Sequence, residues 1–332
     1  MALLLGIDLS PARCRVIELE PRARRGGRSD ARVVSFASLA PDDPAARAAR
    51  ESLRGRLAAV VVWGARSDHR QAIVTSGTYD SMRREARARL RDAGFTLQGT
   101  LSDIAPVRPR PSTPSTRPGR AGTGQETVLL ASASAAELSA ALAPLVSAGV
   151  RIQSVLTPAA ALQALASVRQ GPAHGLEAYV ALAETATCIA VMRDGALVAA
   201  HDFQWGYLDD ASEGEVRPRD DIARRLAEEI QASAAACRER GAPLLTQVSV
   251  CGGLPDLRSM TIPLMEQLDV EVEALDSLAG IDQESLPEPS GEFRERIGWI
   301  VAAIAVSRFH DQIVGATNRV RREPMSTPTR QP

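Results

Sequence analysis

Two segments of the sequence share one pattern, short apolar strands joined by tight turns, and this repetition limits the folds open to the chain. In the first, the strands Leu3–Asp8 and Cys14–Glu20 flank the polar turn Leu9–Arg13. In the second, Glu177–Trp205, three apolar runs follow one another, and the hairpin dipeptide Asp194-Gly195 separates the last two. Similar openings near residues 1 and 177 predict an internal duplication with two related halves.

The elements after the first hairpin predict the opening of a ribonuclease-H-like half. Arg32–Leu39 is a third strand, a helix is expected over Asp42–Leu57, and Ala58–Trp63 is an uninterrupted apolar strand. Each half of that fold begins in this β-β-β-α-β order. In the second half, a long helix over Arg219–Arg240 and a buried strand over Thr246–Cys251 follow the hairpins.

Residues 66–153 depart from this order and predict a small α/β subdomain inserted into the first half. Strands are expected at Gln71–Thr75, Phe95–Leu101 and Thr127–Ala131. An arginine-rich helix is expected at Thr78–Asp92. The segment Pro106–Gly124 is too rich in proline, serine, threonine and glycine to bury a core, which predicts a flexible loop.

The expected division of the chain therefore has four parts. They are a first core half at 1–65 and 154–175, the inserted subdomain at 66–153, a second core half at 176–316 and a disordered tail at 317–332. A final helix is expected over Glu292–His310. Its apolar run, Ile297–Val306, is about half the ~20 residues of a membrane span, so no transmembrane segment is predicted.

The composition excludes several kinds of function. A formal net charge of −1 gives no electrostatic case for binding nucleic acid. Every basic residue is arginine, which excludes a P-loop lysine and a Schiff-base lysine. The cysteines have no metal-binding or disulfide spacing and fit a reducing, cytosolic compartment; they are Cys14, Cys188, Cys237 and Cys251.

Two turns carry residues that could contact a nucleotide. Asp8 ends a buried strand, and the turn after it contains Ser10 and Arg13. Such an aspartate can position a metal-bound water while backbone N–H groups meet phosphate, or it can simply cap a hairpin turn. The pair Gly252-Gly253 would let a flat ligand approach the backbone, although it equally makes a tight strand-to-helix turn.

The turn of the second hairpin, Ala181–Thr187, does not mirror the first one. An acid and a glycine would be needed, and the chain has Ala181 and Ala183 in their places. Glu184 is the nearby carboxylate and is expected to be a solvated turn residue. No histidine lies near a serine or cysteine in a nucleophile-elbow context, so no catalytic triad is predicted.

Taken together, these residues resemble the PilM family of actin-like proteins, relatives of FtsA that act in type IV pilus assembly. The opening GIDLSPARCRVIEL resembles that family's first phosphate turn, and Glu177–Trp205 resembles its second. Val248–Ile262 followed by Gln267–Leu275 resembles its adenosine-motif region, and Val128–Leu165 resembles the end of its inserted subdomain and the return to the core. The resemblance covers nearly the whole chain. It implies a duplicated ribonuclease-H-like, actin-like ATPase fold, α/β in class, with an inserted first-half subdomain.

The resemblance implies ATP with Mg²⁺ as the ligand of an intact site. The cofactor-binding residues expected from it are Asp8, Ser10, Arg13, Gly252 and Gly253. Ser10 replaces a family glycine, and Ala181 replaces the second acid, so charge that positions the metal is missing. The subdomain that clamps the base in the second half is reduced to Asp209–Pro218 and the following helix. We therefore expect nucleotide binding to be weak or lost, with no catalytic residue and no protein-held metal.

The function that the resemblance implies is a non-catalytic scaffold at the cytoplasmic face of a type IV pilus or a related secretion or assembly machine. Its partner would be the cytoplasmic N-terminal segment of a single-span membrane protein, which recruits the chain to the inner face of the membrane; self-association stays open. A docking groove beside the inserted subdomain is expected between the strand edge near Gln71–Thr75 and the helix near Thr78–Asp92. The strand edge could accept an extended peptide, or it could equally be covered by the chain's own flexible loop. The expected floor is Ile73, Val74 and Met82, and the expected rim is Arg83, Arg84 and Arg87. The alternative is an active ATPase or small-molecule kinase of the same superfold.

Overall fold

Three β-sheets organise the residues described by the computed structural model, which are 4–11, 13–21, 31–39, 52–65, 67–106, 124–168, 175–209, 214–275 and 281–282. In chain order the elements are β1 (Leu4–Leu9), β2 (Cys14–Pro21), β3 (Ala31–Leu39), β4 (Leu57–Val62), β5 (Ser67–Thr75), α1 (Tyr79–Asp92), β6 (Thr100–Pro106), β7 (Gln125–Ser134), α2 (Ala135–Ser147), β8 (Arg151–Leu156), α3 (Pro158–Val168), β9 (Leu176–Leu182), β10 (Thr187–Arg193), β11 (Ala196–Phe203), α4 (Arg219–Glu239), β12 (Leu245–Gly252), a 3₁₀ helix (Leu257–Met260), α5 (Thr261–Leu268), β13 (Glu271–Ala274) and β14 (Ile281–Asp282).

The two larger sheets repeat one topology, which confirms the duplication predicted from the sequence. The strand order is β14-β3-β2-β1-β4-β8 in the first and β11-β10-β9-β12-β13 in the second. In each sheet a meander of three antiparallel strands comes first, and its opening strand pairs in parallel with a later strand. A further parallel strand then completes the edge, β8 beside β4 and β13 beside β12.

The second sheet is covered on both faces, as its apolar strands require. Strand β9 is buried along its whole length. Helix α4 packs on one face through Ile222, Leu226 and Ile230, whose spacing places them on one side of the helix. Helix α3 packs on the other face through Leu162 and Leu165. The turn between β9 and β10 therefore projects from a rigid, two-sided core.

The third sheet, ordered β5-β7-β6, packs against helix α1 and lies between β4 and β8 in the chain. Val74, Met82 and Leu130 belong to the small core between the sheet and the helix. The helix begins as the sequence predicts, because the Thr78 side chain accepts a hydrogen bond from the N–H of Ser81. The strand expected at residues 71–75 is confirmed within the longer β5.

The end of the inserted region is defined by strand pairing. Strand β8 pairs with β4, and α2 packs on the first sheet through Leu145. The expected boundary at residue 153 falls inside β8, so we propose that the inserted subdomain ends at Ser134, where β7 ends.

The strand expected at Phe95–Leu101 is wrong in position, because β6 begins at Thr100. Phe95 instead follows the end of α1 and helps to close its C-terminus: its N–H donates to the carbonyl oxygen of Leu90 at 3.0 Å. The guanidinium of Arg70 lies 4.7 Å from the centre of its ring. The apolar residues that resembled a strand thus follow the C-terminus of α1 and pack against the core between that helix and the third sheet.

Several predictions lie outside the described residues. They concern most of the helix expected over Asp42–Leu57, nearly all of the proline-rich loop 106–124, the final helix Glu292–His310 and the tail 317–332. Among the helices that the structure describes, none is long and apolar enough to cross a membrane.

Candidate functional site

The register of the first hairpin places an acid and a base side by side. Asp8 on β1 is directly opposite Arg15 on β2. Arg15 Nη1 donates a hydrogen bond to Asp8 Oδ2 at 3.1 Å, and Trp63 Nε1 donates to Asp8 Oδ1 at 2.8 Å. Asp8 and Arg15 are each only 1% exposed. Both oxygens of the Asp8 carboxylate are therefore engaged by donors of the chain itself.

The other end of the Arg15 guanidinium reaches the second half of the protein. Arg15 Nη2 donates to Glu184 Oε1 in the turn between β9 and β10. Glu184 is 5% exposed, so its expected role as a solvated turn residue is wrong. The reason is electrostatic: a buried guanidinium needs anionic partners, and Glu184 provides the second one. We call Asp8, Arg15 and Glu184 the charged triad.

Burial shapes the protonation of the triad. It raises the pKa of Asp8 from 3.8 to about 6, against the nearby Arg15, which lowers it. Burial also lowers the pKa of Arg15, but the carboxylates of Asp8 and Glu184 outweigh this and raise it overall. Arg15 therefore stays charged, and the pKa of Asp8 lies closer to neutral pH than that of an ordinary aspartate.

The first turn is closed by its own hydrogen bonds. The N–H of Ser10 donates to the carbonyl oxygen of Arg13 at 2.8 Å, and the N–H of Arg13 donates to Ser10 Oγ at 2.9 Å. Ser10 is buried, and Arg13 is partly exposed. Both residues were expected to contact a nucleotide. In the structure the Ser10 hydroxyl and the backbone of Arg13 hold the shape of the turn that carries Asp8.

The second turn is covered by the segment after β11. The N–H of Ala183 donates to the carbonyl oxygen of Ala186 at 2.8 Å. The carbonyl oxygens of Ala183 and Glu184 accept from the N–H groups of Tyr207 (3.0 Å) and Leu208 (2.9 Å). Between these contacts, a Cβ atom on Gly206 would lie 2.2 Å from the carbonyl oxygen of Ala183. Only a glycine lets the two backbone segments approach so closely.

The glycine pair after β12 meets the charged triad. The N–H of Gly253 donates to the carbonyl oxygen of Leu182 at 3.1 Å, and Gly252 is buried at the end of the strand. A Cβ atom on Gly253 would lie 3.3 Å from the Tyr207 hydroxyl and 3.4 Å from Arg15 Nη2. The close approach that the sequence predicted at this pair thus involves the side chains of the protein itself.

The loop after the glycine pair is fixed to helix α4. Arg219 Nη1 donates to Asp256 Oδ2 at 3.1 Å, and its Nη2 donates to the carbonyl oxygen of Pro255 at 3.1 Å. The resemblance implies that the base of a nucleotide would lie near this loop. Arg219 ties the loop to the start of the helix.

In the second turn, the two positions where an acid and a glycine would be needed have apolar surroundings. Ala181 and Ala183 are buried with Cys188 and Cys251 in the core between the second sheet and α3. Burial raises the pKa of the Cys251 thiol to about 12, so it stays protonated. Within the described ranges, no group of three or more His, Cys, Asp or Glu residues could hold a metal ion.

These residues do not fit ATP with Mg²⁺. A cation at Asp8 would meet the guanidinium of Arg15, and a phosphate at Arg15 would meet the carboxylate of Glu184. The N–H groups of Ser10, Ala183 and Gly253, one from each turn, already donate to carbonyl oxygens of the chain. No step through a nucleotide can be derived from this arrangement.

A second surface of interest lies on α1. Asp80, Arg83, Arg84 and Arg87 line an open hollow on its outer side. Arg87 Nη1 donates to Ser102 Oγ on β6. In the part of the chain that the structure describes, Arg83 and Arg84 form no ion pair. Three of the four side chains that line the hollow are thus basic.

The prediction of which residues form the floor of the groove beside this helix is wrong. Val74 is 0% exposed and Met82 9%, because both belong to the core under α1. Ile73 is 51% exposed, but alternation along β5 directs it to the opposite face of the sheet from Val74. At the end of the same strand, the Thr75 N–H donates to Glu85 Oε2 at 3.0 Å, which removes one donor that an added peptide strand would use.

Sequence reasoning missed Arg15, Trp63, Gly206 and Tyr207 as residues of the site. A signal existed for the first of them. Alternation along β2 places Arg15 on the same face as Ile17 and Leu19, both 0% exposed, and a charge on such a face needs a partner. For Tyr207 the sequence carried no comparable signal, since its place depends on how the segment after β11 folds back.

Comparison with solved structures shows the fold. No protein-family model matches the sequence, and no curated protein matches it. A chain of a "PilM-PilN type IV pilus biogenesis complex" matches with a TM-score of 0.69 at 16% identity, over 92% of this chain and 98% of the other. The cytoplasmic domain of EpsL, "an inner membrane component of the type II secretion system" of Vibrio cholerae, matches with a TM-score of 0.49 at 14% identity, over 92% and 95%.

The first of these likenesses extends over nearly the full length of both chains. Together with the two sheets of equal connectivity and the insertion between β4 and β8, it shows that this chain has the duplicated actin-like fold seen in that PilM-PilN structure.

Asp8 gives a pH-dependent prediction. Its pKa in the folded protein is about 6, above the 3.8 of an unperturbed aspartate, so the folded state binds the proton more tightly than the unfolded chain does. Wild type should therefore gain about 1 kcal/mol relative to Asp8→Asn when the pH falls from 7.5 to 5. Urea unfolding of both proteins at the two pH values measures this difference. If the free energy of unfolding of wild type minus that of Asp8→Asn stays constant with pH, or falls at pH 5, the pKa assignment is contradicted.

Gly206 gives a second prediction. Gly206→Ala should lower the free energy of unfolding by about 3 kcal/mol or more, because the new Cβ meets backbone that cannot move aside. Gly77→Ala is a matched control: its Cβ would meet only Ser81 Oγ, at 2.7 Å, at the end of a side chain that can rotate. Chemical denaturation compares the two variants, and equal losses would show that the contact at Gly206 is not tight.

Proposed function

We propose that this protein is a non-catalytic actin-like scaffold that docks a membrane-anchored partner at the cytoplasmic face of a type IV pilus or a related secretion or assembly machine. One observation carries the non-catalytic part: the guanidinium of Arg15 is buried between the carboxylates of Asp8 and Glu184, where the resemblance would place metal and phosphate. Hydrolysis of a nucleotide needs a cation and an ordered water at that place.

The docking part is supported by the comparison. The solved structure with the full-length likeness is, by its title, a complex of PilM with PilN in type IV pilus biogenesis. We infer a corresponding role for this chain, in which the cytoplasmic N-terminal segment of a single-span membrane protein is bound and the chain is recruited to the inner face of the cytoplasmic membrane.

The hollow on α1 is the surface that we assign to this docking. Arg83 and Arg84 present guanidinium groups on the outer side of the inserted subdomain, with Arg87 beside them. Guanidinium groups bind carboxylates in a bidentate manner, which favours a partner segment with acidic residues. The buried floor residues, together with the one backbone N–H of β5 that a side chain already engages, make contact through side-chain charge better supported than strand addition.

The first experiment measures phosphate release from ATP with Mg²⁺. The purified protein should show no turnover above background, and Asp8→Asn should give the same trace as wild type. Turnover of about 1 per second, the low end for enzymes, that Asp8→Asn abolishes would contradict the scaffold and favour the ATPase alternative.

The second experiment tests docking. Tagged protein is used to capture partners from detergent-solubilised membranes of its source cell. Arg83→Glu with Arg84→Glu should reduce recovery of a single-span membrane protein about tenfold or more, since several charge-assisted hydrogen bonds are replaced by repulsion. The control reverses two exposed arginines elsewhere, Arg238→Glu with Arg258→Glu.

Each outcome of the capture is informative. Loss with the α1 variant alone supports the assigned surface. Equal recovery of the membrane protein with both variants would show that the docking surface lies elsewhere. If wild type captures no membrane protein, the docking role itself is contradicted.

A further inference from the structure

We propose that Glu184 is a built-in anion, whose carboxylate takes the place beside Arg15 that a phosphate would occupy in an intact site, so that the two halves are joined without a ligand. This inference rests on the proposed non-catalytic function and adds which group closes the site. It assigns Arg15 and its surroundings as a latent site for a small tetrahedral anion.

The position of Glu184 supports this assignment. It lies in the turn between β9 and β10, which the resemblance identifies as the second phosphate turn, and Arg15 lies on the strand after the first. The two residues are 169 apart in sequence, and their side chains are in direct contact. The one guanidinium thus binds a carboxylate from each half.

Glu184 is held in place by its backbone as well as by its charge. Its carbonyl oxygen accepts from the N–H of Leu208, and the preceding carbonyl oxygen accepts from Tyr207. The glycine at position 206 lets this strap lie directly on the turn. A carboxylate attached to a fixed backbone loses no overall translational or rotational freedom when it binds Arg15, unlike a free anion.

The hydrogen bonds of the pair are incomplete. Arg15 Nε and Glu184 Oε2 are buried and have no hydrogen-bond partner in the described part of the chain. A single carboxylate oxygen satisfies one nitrogen of the guanidinium, whereas a phosphate could accept from Nη2 and Nε together. If Glu184 is a substitute, its removal should therefore uncover a site that prefers phosphate.

The test is a chemical rescue with inorganic phosphate as the probe. Melting temperatures of wild type, Glu184→Ala and the double variant Arg15→Met with Glu184→Ala are compared in phosphate and in chloride at equal ionic strength and pH 7. Because phosphate stabilises proteins generally, the quantity of interest is each variant's phosphate-minus-chloride difference relative to wild type.

Glu184→Ala should melt below wild type in chloride and gain at least ~3 °C more than wild type from saturating phosphate. The double variant should lose this extra gain, because the guanidinium that binds phosphate is absent. Glu184→Gln should remain more stable than Glu184→Ala and respond less to phosphate, since its amide oxygen still fills the place and accepts from Nη2.

A phosphate response of Glu184→Ala equal to that of wild type, or one that persists without Arg15, would overturn the inference. If Glu184→Ala does not fold in chloride, its refolding yield in the two salts is the measurement: recovery in phosphate alone supports a built-in anion, and recovery in neither overturns it. ATP turnover by wild type would instead contradict the proposed function, so the two failures are distinguishable.

Discussion

The arrangement of this protein depends on the ion pairs that a single buried guanidinium makes. A charge removed from water must be paired, and Arg15 is 1% exposed. Asp8 pairs with it across one hairpin, and Glu184 pairs with it from the other half of the chain. The guanidinium joins the turns of the two related sheets, beside an apolar core to which Trp63 of the first half and Ala181 of the second both belong.

The same fold can therefore be kept while its chemistry is replaced. Sheet order, the covering helices and the insertion between β4 and β8 follow from apolar burial, which does not depend on the residues of the turns. The turns determine what the cleft between the halves can bind. Here one N–H group of each turn donates to a carbonyl oxygen of the chain, and the segment Trp205–Leu208 lies across the second turn.

The sequence predicted what depends on local pattern and missed what depends on contacts between distant segments. Apolar runs and the Asp194-Gly195 turn were sufficient for the duplicated hairpins, and Asp8 was recognised because it ends a buried strand. Glu184 was misassigned because its partner is 169 positions away. Phe95 was placed in a strand because an apolar alternation fits a helix end packed on a small core equally well.

The central claim is that Arg15 and Glu184 are coupled across the two halves. A double-mutant cycle with Arg15→Met, Glu184→Ala and the combined variant measures this coupling directly from free energies of unfolding. We expect a coupling free energy of about 2 kcal/mol or more, with the combined variant less destabilised than the sum of the single ones, because each single change leaves a buried polar group without its partner. Additive effects, with a coupling below about 0.5 kcal/mol, would contradict the account.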